Sequence, residues 1–146
     1  MKKVVLIGLH PDAVDYDKWP MLTPEKLMGA LNSERASLEG AGFGAEVMLV
    51  DRGETAEQVV RDALGASTYD CVVIGAGVRK DDDHFLLFEK LVNLLHELVP
   101  NAKIAFNTNP SDTAEAVKRW VSARSSARRC RRAKPAQHRH VGPHAP

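Results

Sequence analysis

The residues able to do chemistry gather in three short stretches, each directly after an apolar run. His10 and Asp12 follow the first run, with Asp15, Tyr16, Asp17, Lys18 and Trp19 close behind. Gly75-Ala76-Gly77 follows a later run and leads into Arg79, Lys80, Asp81, Asp82, Asp83 and His84. Asn107, Thr108 and Asn109 follow the last. A glycine pair between a strand and a helix lets the backbone approach a ligand closely, and Arg or Lys beside it can hold an anion. The third glycine of a dinucleotide-binding fingerprint is missing, because Lys80 stands where GxGxxG would place it. The candidate ligand-binding residues are therefore His10, Asp12, Gly75, Gly77, Arg79, Lys80, Asn107 and Thr108. His10, Asp12 and His84 are types that ligate divalent ions, but no spacing fixes them as a set, so no metal site is expected. Asp81 to Asp83 read as caps for the following helix, and His96 as a partly buried structural residue. No GxSxG or P-loop pattern occurs, and Cys71 lies inside an apolar run, so neither a nucleophile nor a cofactor is identified.

The elements that position these residues alternate regularly. Val4-Val5-Leu6-Ile7 reads as a strand covered on both faces. Thr23-Pro24-Glu25 starts a helix with Leu27, Leu31 and Leu38 near helical spacing, ended by Gly40 and Gly42. Glu46 to Val50 is a second strand, and Thr55-Ala56-Glu57-Gln58 matches a capping box ahead of Val59, Val60, Ala63 and Leu64. Cys71 to Ile74 is a third strand, and Phe85 to Leu98 a third helix. Lys103 to Phe106 is a fourth strand, and Asn109-Pro110 opens a last helix with Ala114, Val117, Trp120 and Val121. Four β-then-α units predict an α/β fold, a three-layer, four-stranded parallel sheet with right-handed crossovers. The expected strand order is the flavodoxin-like 2-1-3-4, with the half-Rossmann order 3-2-1-4 as the alternative. In the first order, ligands bind at the crevice between the loops after strands one and three. The first of those loops, at about 14 residues, is longer than the usual βα connection of 2–6.

Charge divides the 146 residues in two. Residues 1–121 hold all 19 acids and 13 of the 20 Lys and Arg, a net of −6, whereas the remainder holds seven basic residues and no acid. The expectation is an α/β domain over 1–121 and a basic, disordered tail over 122–146. The tail has no aromatic residue to stack on bases, so nucleic acid is not an expected partner. No apolar run is long enough to span a membrane. The six apolar residues from Val4 to Leu9 are too few for a signal sequence, which places the protein in the cytoplasm. Cys71 and Cys130 suggest no disulfide framework.

The order and size of the elements resemble response-regulator receiver domains. That family carries acids after strand one and a phosphate-accepting Asp at the end of strand three. Here His10-Pro11-Asp12 follows strand one, but Gly75 ends strand three, Thr108 matches the family's strand-four Thr only loosely, and no fifth-strand Lys exists. The resemblance thus implies no phosphoryl transfer. The stretch from His84 to Asn93, and Phe106-Asn107-Thr108 with Asp112 to Val117, resemble small bacterial α/β proteins of unassigned function, which implies no activity.

Two functions follow as expectations. The first is binding of a small anionic metabolite or nucleotide at the β1/β3 crevice. The alternative is a non-catalytic, receiver-like interaction module. The third helix carries more apolar residues than one face needs, and Leu87, Leu94 and Leu98 are expected to form an exposed row that joins two copies as a homodimer.

Overall fold

The computed structural model describes residues 1–123. Its strands are β1 (Lys3–Leu9), β2 (Gly44–Val50), β3 (Cys71–Ile74) and β4 (Lys103–Phe106). Its helices are α1 (Pro24–Gly40), α2 (Ala56–Leu64), the short α3 (Ala76–Arg79), α4 (Phe85–Leu98) and α5 (Thr113–Lys118). The four strands form one sheet in the order β2-β1-β3-β4, every pair parallel. This is an α/β fold with the flavodoxin-like order, as the alternation predicts. The tail expected over 122–146, with its arginines and Cys130, lies almost wholly outside the described residues.

Strand periodicity sorts the core into two layers. Val5, Ile7, Leu9, Val72 and Ile74 face α2 and α4. Val4, Leu6, Cys71 and Val73 face α1 and α5. Successive side chains of a strand point to opposite faces, so a continuous β-branched run is what a sheet covered on both sides needs. Among the described residues no helix is long and apolar enough to cross a membrane.

The element boundaries expose three local rules. Thr23 caps α1 as expected, its hydroxyl oxygen accepting from Lys26 N at 3.1 Å. Thr55 does not form the expected capping box. Asp51 takes that role from outside the helix, accepting from Gly53 N, Thr55 N and the Thr55 hydroxyl, and these bonds hold its carboxyl below the ordinary range. The last helix begins as a 3-10 turn, Pro110–Asp112, with a capping box between Asn109 and Asp112. Trp120 and Val121, expected within the last helix, lie beyond its end at Lys118; Trp120 is exposed and Val121 buried.

The dimer row is corrected by α4. Leu87 and Leu94 are buried in the chain's own core, and Leu98 packs partly against it. The physical reason is that α4 packs on the sheet and on α2 at once, so its buried sector is wider than a single stripe. Arg61 Nη1 and Nη2 reach the Glu97 carboxylate at 2.7 and 3.2 Å across that same helix pair. The exposed apolar residues of α4 are instead Phe85 and Leu86 at its first turn, and His96 is exposed rather than partly buried.

Candidate functional site

A cleft of about 320 Å³ opens at the carboxyl ends of β1 and β3, where the strand order reverses. Leu6, Gly8, Leu22, Leu27 and Leu31 give it an apolar wall, and Gly75, Ala76 and Gly77 line the side toward β3. The long loop after β1 contributes Val14, Asp15 and Trp19. That loop is fastened by Asp81: Lys18 Nζ donates to Asp81 Oδ1 at 2.6 Å, and Trp19 Nε1 to Asp81 Oδ2 at 3.4 Å. The Lys18 ammonium, together with a bond from Asp83 N, pulls the buried Asp81 carboxyl down to about 2. Asp81 also caps the 3-10 turn Asp82–His84; the expected capping of α4 itself is not made, since its N-cap is His84, with no side-chain capping bond.

The floor is a buried polar network centred on Asn107, directly after β4. Asn107 Oδ1 accepts from Ala76 N at 2.9 Å. Its Nδ2 donates to Glu34 Oε1 at 2.9 Å and to Thr113 Oγ1 at 2.8 Å. The Thr113 hydroxyl donates to the same Glu34 oxygen. One amide thereby ties the end of β4 to α1, α3 and α5. Glu34 is 4% exposed, and its other oxygen, Oε2, has no hydrogen-bond partner among the described residues. Burial pushes its carboxyl up to about 7, against the two bonds to Oε1 that favour the charged form, and Asp112 adds to the rise. His84, also 4% exposed, lines the cleft, and neither of its buried ring nitrogens has a partner among the described residues.

No family model matches this sequence, and no curated protein matches it.

The eight residues expected from sequence divide. Gly75, Gly77, Lys80, Asn107 and Thr108 line the cleft. His10 and Asp12 do not; they line a separate polar hollow with Asp51, Arg52 and Glu54. There His10 Nδ1 accepts from Asp12 N at 3.0 Å, a local cap. Arg79 is also outside the lining. Its guanidinium donates to Ile74 O at 3.1 Å and to Asn107 O, and it sits over the Phe106 ring at 5.3 Å. Burial lowers its pKa. Arg79 therefore closes off the carbonyls at the ends of β3 and β4 instead of presenting a cation to a ligand. Gly75 lets β3 run close to β1, since a Cβ there would lie 3.2 Å from Ile7 O, a tighter contact than most. A Cβ on Gly77 would meet nothing within 4 Å. The Thr108 hydroxyl donates to Asp112 Oδ2 at 2.5 Å, so it too is committed within the protein.

Glu34 and Thr113 were not among the expected residues. The available signal was Glu34 itself: Leu27, Leu31, Glu34 and Leu38 fall on one stripe of α1, and an acid there must be buried. Among the described residues no cluster of His, Cys, Asp and Glu is arranged to hold a metal ion.

Proposed function

We propose that this protein binds a small organic molecule in the β1/β3 cleft. One observation carries the reading: a mostly apolar cleft at the strand-order reversal has in its wall a buried imidazole, His84, whose two nitrogens have no partner among the described residues. A buried polar group without a partner costs about 1–3 kcal/mol, and native proteins keep few of them outside functional sites. The volume of about 320 Å³ suits a compound of one or two rings, at the lower end of ligand pockets, and is too small for a dinucleotide. The expected preference for an anion loses its main support with Arg79 turned away, and among the described lining residues Lys80 alone offers a cation, at the exposed rim.

The test is equilibrium dialysis of the protein against a metabolite extract, with mass spectrometry of what it retains. The expected result is enrichment of one or a few small compounds, lost in Ala30→Phe, which fills the cleft from α1. Retention of nothing, or equal retention by Ala30→Phe, overturns the reading.

The interaction-module reading keeps one specific support: Phe85 and Leu86 are 62% and 72% exposed on adjacent positions. A protein contact through α4, including a homodimer, would use these two rather than Leu87 and Leu94.

A further inference from the structure

Hydrogen-bonding capacity around the cleft is unequally distributed. Nearly every side-chain donor on its lining is already committed to the protein. Both N–H groups of the Asn107 amide go to Glu34 and Thr113, and the Trp19 N–H goes to Asp81. The Thr108 hydroxyl goes to Asp112, and Asn109 Nδ2 goes to Thr108 Oγ1 at 3.3 Å. Lys80 Nζ donates to Thr108 O and keeps its spare N–H groups at the exposed rim. The uncommitted capacity inside is that of acceptors. Glu34 Oε2 has its lone pairs open among the described residues, whereas both His84 ring nitrogens are buried behind the lining.

Charge points the same way. Asp15 from the first loop, Glu34 from α1 and Asp81 before α4 line the cleft, and Asp112 lies behind Glu34 from the turn before α5. Against them stand Lys80, and Lys18 paired to Asp81 at 2.6 Å. A carboxylate or phosphate placed on this floor would find acidic neighbours and almost no free side-chain donors. An unpaired buried charge is among the costliest groups to place.

We propose that the cleft selects ligands that present hydrogen-bond donors on an apolar body (an amide, an amidine or the N–H edge of a heterocycle), with the donor head against Glu34 Oε2, and that it rejects anions there. This rests on the ligand-binding reading above and deepens it by naming the chemical class.

The test uses four compounds of one size and one ring: benzamide, benzamidine, benzoate and toluene. Each is titrated at pH 8 into ¹⁵N-labelled full-length protein, and dissociation constants are read from the Trp19 indole and Gly75 and Gly77 amide shifts. The proposal expects benzamide and benzamidine to bind at least about tenfold more tightly than benzoate, the usual effect of one hydrogen bond to a charged or buried partner. Glu34→Gln supplies the second arm. Gln keeps an oxygen for Asn107 and Thr113 but puts an N–H₂ donor where Oε2 was, so the preference for benzamidine over benzoate should shrink about tenfold or reverse. Benzoate binding as tightly as benzamide, or an unchanged ratio in Glu34→Gln, overturns the proposal while toluene binding keeps the cleft as a ligand site. Absence of saturable shifts with all four compounds overturns both.

Discussion

Glu34→Gln should change how stability depends on pH more than it changes stability at any one pH. The parent carboxyl sits near 7 in the folded protein against 4.5 ordinarily, because α1 buries it beneath the cleft. An acid whose folded value is raised holds its proton more tightly when folded. Its favourable contribution is complete below about 4.5 and is lost as pH rises through about 7, after which the penalty is constant. At about 1.4 kcal/mol per tenfold change, the full difference would be about 3 kcal/mol; water reaching the cleft screens part of it and leaves about 2 kcal/mol. Gln has the same shape, still accepts from Asn107 and Thr113, and does not titrate. Urea unfolding at intervals from pH 4.5 to pH 8.5 checks this. The parent should lose about 2 kcal/mol more than Glu34→Gln across that range. Parallel profiles for the two proteins would show that Glu34 does not titrate as a buried acid, and would refute the reasoning.

Three further outcomes follow from the packing. Leu87→Ala should cost about 2–5 kcal/mol and Leu86→Ala less than about 0.5 kcal/mol in thermal or urea unfolding, because Leu87 is 3% exposed and Leu86 72%. Lys18→Ala should free the loop after β1, seen as faster amide exchange around Trp19. In the parent, the contribution of that ion pair should be lost as pH falls from about 3.8 toward 2, the interval over which an acid of lowered value takes up its proton. Arg79→Lys should destabilise the fold by about 1–2 kcal/mol in urea unfolding, since an ammonium cannot span Ile74 O and Asn107 O as the guanidinium does. It should leave cleft binding nearly intact.

The strand order was readable because each strand is a short apolar run bounded by turn residues, and because the helices between them are long enough for parallel crossovers. The crevice followed from the order alone. Side-chain roles were less readable. Arg79 looks like an anion ligand in sequence, yet four residues of helix bring it back over the ends of β3 and β4. Leu87 and Leu94 look surplus on a helix that must cover only a sheet, but α4 packs on α2 as well, and both belong to the core layer those helices share. Asp51 caps α2 from a preceding turn, which a motif search starting at Thr55 does not reach. Glu34 was visible as an acid on an apolar stripe, but its partners come from positions 73 and 79 residues away, and local spacing carries no record of them.

The central claim, that the β1/β3 cleft is a small-molecule site, is tested most directly by mapping where ligands bind. Titration of ring-sized fragments into ¹⁵N-labelled protein should give saturable shifts grouped on Gly8, Leu31, Trp19 and Gly75 to Gly77, all of which line the cleft. Shifts confined to Phe85 and Leu86, or no saturable shift at the cleft residues, would contradict it.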